Sequence, residues 1–209
     1  MVSYWSIYQS KFDAIFDNFK RLTNKIRSKF NSKITDDIVT ISSFFEVPIV
    51  GFKLLYRASE NNFSAGRFRQ LCDGKKNTIV IAHTEFDRII GGFTPLEWNS
   101  YGTAYVQDYE RKNFLFSLSL KEKYPIVSTQ HGIYNNPNYG PTFGGGHDFY
   151  IADNAHVTDN TSYCKIGHSY NLNGKFRNNQ VTSYTEFSGA TVNQYVKFKE
   201  WEVFQIEFL

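Results

Sequence analysis

The first 34 residues have a hydrophobic pattern that differs from that of the rest of the chain. Apolar residues recur seven positions apart in two series that are offset by three positions, namely Trp5, Tyr8, Phe12, Ile15, Phe19, Leu22 and Ile26. This spacing indicates an amphipathic helix whose apolar seam follows one face, as in a coiled coil. No glycine or proline occurs before Pro48, so we expect this helix to be uninterrupted.

The helix seam has three interpretations. Aromatic residues at the first heptad position pack poorly in a two-stranded coil, which favours docking of the seam on the same chain or on a neighbouring copy. The second interpretation is a self-associating coil, and therefore a homodimer through the N-terminal helix. The third is a basic helix on a membrane surface or on nucleic acid. We assign residues 1–45 to this helix and residues 46–209 to a separate domain.

Beyond Pro48 the pattern changes to short apolar runs between turn residues, which is typical of β-strands. In Phe114, Phe116, Leu118 and Leu120, apolar and polar positions alternate, which predicts a strand with one buried and one wet face. The runs are FKLLYRA, TIVIAHT, RIIGGFT, TAYVQD, NFLFSLSL, PIVST, HDFYIAD and YVKFKEWEVFQIEF.

One segment, SAGRFRQLCDG, departs from the strand pattern. Ser64 is a suitable N-cap, Phe68 and Leu71 are three residues apart, and Gly74 can close the C-terminus, so we predict a short helix. Many short strands with few small helices predict a mainly β fold, a two-sheet antiparallel β sandwich.

Charge and cysteine usage narrow the class of protein. The formal net charge is +3, with +5 on residues 1–34 and −2 on the remainder. The remainder therefore lacks the basic field that is typical of nucleic-acid binders. Two cysteines do not form a disulfide framework. The N-terminus is too polar for a signal sequence, and no apolar run approaches a membrane span. We therefore expect a cytoplasmic protein, with the nucleus as the alternative.

The motif FGGGHD, residues 143–148, is the first candidate for chemistry. A phosphate-binding loop would precede a helix, whereas here a strand pattern follows, so we predict a tight turn with a glycine at positive φ. His147 and Asp148 are a candidate polar site, and with Ser64 they could form a nucleophilic triad. No nucleophile elbow surrounds Ser64, and we therefore predict no catalytic residue.

The histidines and cysteines are the candidates for a metal or redox site. Cys164 and His168 are four residues apart, with His147 and His156 upstream, but this is a single pair at ligand spacing, so we predict no metal site and no cofactor. A reactive thiol would need exposure and a lowered pKa, and we predict instead that Cys72 and Cys164 are small buried hydrophobic residues.

The acidic residues near the C-terminus are predicted to lie at the surface. Glu200, Glu202 and Glu207 are predicted to form a wet strand face, with part of a partner surface as the alternative. Lys197 and Lys199 beside them would make cross-strand ion pairs.

The ordered segments LLYRASENNFSAGRFRQLCDGKKNTIVIAHTEFDRIIGGFTPLEW, FLFSL, FGGGHDFYI, SYCKIGHSY and EWEVFQIEF resemble the TLDc domain of oxidation-resistance proteins over roughly residues 48–209. FGGGHD with SYCKIGHSY is similar to protist and fungal, hence eukaryotic, members. The family pattern falls on Phe63, Ser64, Gly91, Gly92, Trp98, Phe143, Gly144, Gly145, Gly146, Cys164, Glu202, Val203 and Phe204.

This resemblance implies a two-sheet β sandwich and a role in oxidative-stress tolerance without an established reaction. It also implies protein–protein interaction, since several members bind the vacuolar proton-pumping ATPase (V-ATPase). The leading hypothesis is therefore a non-enzymatic interaction module that binds the peripheral sector of that pump. The alternatives are a stress-responsive DNA-binding regulator that uses the basic helix, and a weak hydrolase or peroxide-consuming enzyme.

Overall fold

The computed structural model describes residues 34–157, 159, 161–172, 181–191 and 193–209. The predicted seam, Trp5 to Ile26, lies outside the described residues. By the density of internal contacts the chain divides into two units, residues 1–53 with 206–209 and residues 54–205.

In the first unit, helix α1 (Ile34–Ser43) buries Ile38 and Ile41 and leaves Val39 exposed, as expected for an amphipathic helix. The rings of Phe45 and Phe208 are in contact, with centroids 5.3 Å apart. The N–H of Leu209 donates a hydrogen bond of 3.0 Å to the carbonyl of Pro48.

The first sheet has six strands in the order β1-β11-β2-β3-β5-β6. The pairings from β11 through β6 are antiparallel, and β11 has a register shift between Phe198 and Glu200. The strands are β1 (Ile49–Arg57), β2 (Thr78–Thr84), β3 (Ile89–Thr94), β5 (Phe114–Ser117), β6 (Glu122–Pro125) and β11 (Phe198–Phe208).

The second sheet has five short antiparallel strands in the order β10-β9-β8-β7-β4. They are β4 (Ala104–Val106), β7 (Ile133–Asn135), β8 (Thr142–Phe143), β9 (Phe149–Tyr150) and β10 (Tyr163–Cys164). Three further elements are a 3-10 turn (Ala58–Glu60), helix α2 (Ala65–Cys72) and helix α3 (Val181–Ser188).

A single core cluster draws on both sheets and on α2, and its centre is aromatic. The ring of Tyr56 stacks on Trp201 at 4.2 Å, and Phe68 packs edge-on against Trp98 at 5.5 Å. The buried Arg69 lies over the rings of Phe68 and Trp98, and its Nε donates to the carbonyl of Tyr139 at 2.8 Å. The described fold is therefore mainly β, with two antiparallel sheets and a few small helices, as predicted from the sequence.

The predicted wet face of the strand from Phe114 to Leu120 is wrong. All four residues of β5 are buried, because both faces of the strand are covered. Leu115 belongs to the core cluster on one face, and on the other face Phe114 packs against Phe93 at 5.3 Å and under Lys123 at 4.5 Å. The strand ends at Ser117, whose Oγ accepts the N–H of Leu120 at 3.2 Å and so closes a turn.

The run PIVST is also not a strand of its own. β6 ends at Pro125, the first residue of the run, and Ile126 forms only an isolated bridge with Tyr170. The chain then leaves the first sheet, since the N–H of Val127 donates to the carbonyl of Ser169 at 2.7 Å. The long C-terminal run, in contrast, is one continuous strand, β11.

Three of the strands at the edges of the two sheets are short or poorly suited to further pairing. β4 has three residues and β10 has two. β6 contains Glu122, Lys123 and the exposed Pro125. Proline and charged side chains at an edge oppose the addition of another strand.

Candidate functional site

The outer face of the second sheet is lined with tyrosine. Side chains alternate between faces along a strand, and on β9 Phe149 belongs to the core cluster while Tyr150 points to the other side. The same alternation places Tyr134 of β7 and Tyr163 of β10 opposite the core residues Ile133 and Cys164. Three strands of this sheet, β7, β9 and β10, therefore place a tyrosine on one outer face.

Strand register joins these side chains into a continuous row. Tyr105 of β4 is directly opposite Tyr134, and Tyr150 is directly opposite Tyr163. The ring of His147 bridges the two pairs, with its centroid 4.8 Å from Tyr134 and 5.6 Å from Tyr150. We use the term tyrosine row for Tyr105, Tyr134, Tyr139, Tyr150, Tyr163 and His147.

Exposure differs along the tyrosine row. Tyr105 is 38% exposed and Tyr150 only 9%, while Tyr134, Tyr139 and Tyr163 are half-buried. Ring contacts hold the side chains in place, for example Tyr139 against Tyr150 at 4.7 Å. Such a surface is pre-ordered, so its side chains lose little rotamer freedom when a ligand binds.

The side chains of the tyrosine row are phenols and one imidazole, without a carboxylate, an ammonium or a guanidinium group. Burial raises the pKa of Tyr163 to about 12, with a smaller effect from neighbouring Tyr139, and it raises the pKa of Tyr150 as well. Burial lowers the pKa of His147, partly opposed by a hydrogen bond with the backbone of Gly144. Because phenols and a neutral imidazole line the face, it offers apolar rings with hydroxyl groups rather than an electrostatic site.

The FGGGHD loop presents His147 to this face. Gly144 and Gly146 have φ of +83° and +70°, and His147 itself has φ of 61°. The N–H of His147 donates to the carbonyl of Gly144 at 3.2 Å, and that of Gly146 to the hydroxyl of Tyr105, also at 3.2 Å. The prediction of a tight turn with glycine at positive φ is confirmed.

Asp148 turns away from His147 and joins the loop to a distant segment. Its two carboxylate oxygens accept the N–H groups of Gly167, His168 and Ser169 at 2.8, 2.8 and 2.9 Å. Complete burial raises the pKa of Asp148 to about 7, although these N–H groups favour the ionised form. Asp148 therefore fixes backbone geometry and is not aimed at a histidine ring.

Ser64 is engaged as a helix cap. Its Oγ accepts the N–H of Arg67 at 3.3 Å, and Asp153 Oδ1 accepts the N–H of Ala65 at 2.7 Å, so two side chains cap α2. The predicted N-cap is confirmed. With Ser64 at the start of α2 and Asp148 bound to backbone N–H groups, these residues do not form the charge-relay arrangement of a triad.

The residues considered as metal ligands or reactive thiols lie in different surroundings. Cys164 belongs to the core, whereas His156 stacks on Phe63 at 4.0 Å. Within the part of the chain that the structure describes, no three His, Cys, Asp or Glu residues come together as a metal site. Cys72 and Cys164 are free and fully buried, and burial raises the pKa of both thiols.

The predicted wet acidic face on β11 is wrong at two of its three positions. Glu200 and Glu202 are 6% and 1% exposed, and only Glu207 is exposed. Arg57 Nε donates to Glu202 Oε1 at 2.5 Å, and the N–H of Ser59 donates to Glu200 at 3.0 Å. Burial raises the pKa of Glu202, and Arg57 opposes the shift.

The two lysines beside these glutamates form ion pairs with loop residues rather than the predicted cross-strand pairs. Lys199 Nζ is 2.5 Å from Asp87, and Lys197 Nζ is 2.6 Å from Asp159. Lys197 also lines a shallow open cleft of about 200 Å³ together with Glu85 and Tyr195.

The positions of the family pattern contribute mainly to packing. A Cβ at Gly92 would overlap Leu115 and Phe143, and the Nε1 of Trp98 donates to Thr78 Oγ1 at 2.8 Å. Val203 lies in the core, while Phe204 is buried outside that cluster. The residues of FGGGHD have a further effect, since they place His147 in the tyrosine row.

Sequence reasoning did not identify the tyrosine row. Its members are spread from residue 105 to residue 163 and come together through strand register and through the loops that hold Tyr139 and His147. The available signal was local, because four of the five short strands have a tyrosine next to an apolar residue, as in Phe149-Tyr150 and Tyr163-Cys164. That signal needs the sheet order before it defines a surface.

The fold and this surface define a class of protein, namely a mainly β module with two antiparallel sheets and an aromatic outer face on the second sheet. The chain belongs to the TLDc domain family, whose model matches residues 27–207. TLDc membership suggests a protein-interaction module related to oxidative stress. A search of curated protein sequences found no match. Among the described residues, no helix has the length and apolar character needed to cross a membrane.

Proposed function

We propose that this chain is a non-enzymatic TLDc interaction module that acts in oxidative-stress tolerance by binding a protein partner through the tyrosine row. The expected partner is the peripheral sector of the vacuolar proton-pumping ATPase, the partner that the family resemblance implies. The observation that supports this proposal is the row itself, an uncharged and half-exposed aromatic face held by ring contacts.

Tyrosine is well suited to this role. Its ring supplies large apolar contact area, its hydroxyl can hydrogen-bond, and it has few rotatable bonds to freeze. Tyrosine is accordingly enriched among the interface residues that contribute most to binding. In the tyrosine row, Tyr105 and Tyr163 are on strands at opposite edges of one sheet, so a partner that contacts both must cover the whole face.

Other features favour binding over catalysis. The groups with the chemistry for a reaction have structural roles, because Ser64 caps α2 and Asp148 accepts three backbone N–H groups. Both thiols are buried with raised pKa values, which disfavours the reactive thiolate.

The test measures binding of the full chain to the purified peripheral sector by biolayer interferometry. Tyr105→Ala and Tyr163→Ala are each expected to weaken binding at least about tenfold, equivalent to a loss of about 1.4 kcal/mol. Tyr101→Ala is the matched control, because Tyr101 is 97% exposed and lies outside the tyrosine row. Its affinity should equal that of the wild type.

Two outcomes would contradict the proposal. Absence of binding by the folded wild-type chain at low and at physiological salt would exclude this partner. Equal losses in Tyr105→Ala, Tyr163→Ala and Tyr101→Ala would show that the tyrosine row is not the contact surface. Urea unfolding of each variant confirms that the folded state is retained.

A further inference from the structure

Two tyrosines of the row, the exposed Tyr105 and the half-buried Tyr134, form a cross-strand pair. Tyr105 on β4 and Tyr134 on β7 are directly opposite in register, their ring centroids are 4.7 Å apart and their planes are inclined by 49°. This separation is near the short end of the range for aromatic pairs, so the ring edges are in contact. Tyr105 is 38% exposed, which gives small molecules in solution access to the pair.

We propose that Tyr105 and Tyr134 are a site of oxidative modification, where a one-electron oxidant converts the two phenols into an intramolecular dityrosine. The oxidant belongs to the class of carbonate radical or oxidised metal complexes. The inference goes beyond partner binding and does not depend on it, since the reaction requires no other protein.

The reaction balances as follows. Two equivalents of oxidant each accept one electron, and each phenol releases its hydroxyl proton to water, which leaves two phenoxyl radicals. The radicals couple through the ring carbons adjacent to the hydroxyl-bearing carbons, and one carbon–carbon bond forms. The hydrogens on those two carbons then move to the oxygens and restore both phenols. The net loss is two electrons and two protons.

The neighbouring rings explain why coupling should occur at this pair. The row continues through His147, 4.8 Å from Tyr134, to Tyr150 and Tyr163, which are 5.4 Å apart. Tyrosine radicals exchange electrons with tyrosines in close range, so oxidation elsewhere in the row can reach Tyr105 and Tyr134. Tyr150 is only 9% exposed, and burial that raises the pKa of its phenol also hinders loss of the proton.

Alternative tyrosine pairs are less favourable. Tyr139 and Tyr150 are also 4.7 Å apart, but one partner is nearly buried. Tyr101 and Tyr109 are 97% and 80% exposed and lie outside the tyrosine row. They should react with the same oxidants and should couple only between molecules, which makes them suitable controls.

The experiment oxidises the dilute full chain with photogenerated tris(bipyridine)ruthenium(III), with persulfate as the electron acceptor. We expect dityrosine fluorescence in a monomeric product, independent of protein concentration, whose mass is lower by two hydrogen atoms. Proteolysis and fragment-ion mass spectrometry should join the peptide of Tyr105 to that of Tyr134. Tyr105→Phe and Tyr134→Phe should each lower the yield several-fold, whereas Tyr101→Phe and Tyr109→Phe should leave it unchanged.

The inference is overturned if the cross-link maps to Tyr101 or Tyr109, if its yield rises with protein concentration, or if Tyr105→Phe and Tyr134→Phe react like the wild type. Phenylalanine keeps the ring and lacks only the hydroxyl group, so misfolding is not the expected cause of a lower dityrosine yield. Urea unfolding of both variants checks this. The assay contains no partner protein, so its failure is distinguishable from a failure of the proposed partner binding.

Discussion

Glu202 shows how a single long-range contact determines the environment of a side chain. Trp201 and Val203 on either side belong to the core, and Glu202 between them is 1% exposed. Its charge is compensated by Arg57, which is 145 residues away in the sequence. A buried ion pair contributes little net stability, but loss of one partner leaves the other buried and unpaired.

We therefore expect Arg57→Met to lower the free energy of unfolding by about 3 kcal/mol, the lower end for such pairs, because Arg57 itself is partly exposed. The double variant Arg57→Met with Glu202→Met should regain most of this loss, since it removes both charges. Urea unfolding measures all three proteins. Glu207→Gln at the exposed position of the same strand should change stability by less than about 0.5 kcal/mol. A double variant no more stable than Arg57→Met would contradict this account.

At the scale of elements, the FGGGHD loop determines how β8 is joined to β9. Gly144 needs a positive φ and also leaves room for the Asp148 carboxylate, which a Cβ would overlap. Gly146 needs a positive φ as well, yet a Cβ there would meet no atom within 4 Å. Substitution of Gly146 therefore tests backbone strain alone, whereas substitution of Gly144 tests backbone strain together with steric overlap.

Gly146→Ala should accordingly lower the free energy of unfolding by about 1–2 kcal/mol, the cost of a left-handed conformation for alanine. Gly144→Ala should cost about 3 kcal/mol or more, because the side chain of Asp148 must also move and give up hydrogen bonds. Denaturant unfolding with unchanged m-values is the measurement. Similar losses for the two variants would show that the overlap with Asp148 is relieved without loss of its bonds.

Elements with a strong local pattern could be predicted from the sequence. β2 and β3 have continuous apolar runs, and α2 has its cap at Ser64. β8 has only two residues and could not be predicted, because so short a strand has no periodicity and exists through its neighbours. The burial of Glu200 and Glu202 was missed for a related reason, since their partners Ser59 and Arg57 come from another part of the chain.

The candidate site was only partly predictable. The residues His147 and Asp148 were singled out from their motif, but they were considered as parts of one polar site. In the structure, Asp148 binds the backbone of residues 167–169 and His147 packs against Tyr134. The other members of the tyrosine row have no motif and depend on the order of five strands.

At the scale of the whole molecule, the reactivity of the two thiols measures whether the core unfolds cooperatively. Cys72 is in α2 and Cys164 is in β10, and both belong to the same core cluster. A reagent reaches them only if this core opens. Burial also raises both thiol pKa values, which further slows any reaction.

We expect both thiols to resist dithionitrobenzoate in the folded protein and both to react at once after urea unfolding. Stopped-flow absorbance with the folded, the urea-unfolded and a free-thiol control sample gives the three rates. Rapid reaction of either cysteine in the folded protein would show that solvent reaches the core locally. It would then support a redox-sensing role for that residue.

The blunt edges of the two sheets affect how copies of this protein behave when they are crowded together. Three of the four edge strands of the two sheets, β4, β6 and β10, are short or contain proline and charged residues. Such edges are poor templates for cross-β growth. Many copies of this protein at high concentration can thus remain separate folded units and avoid seeding fibrils.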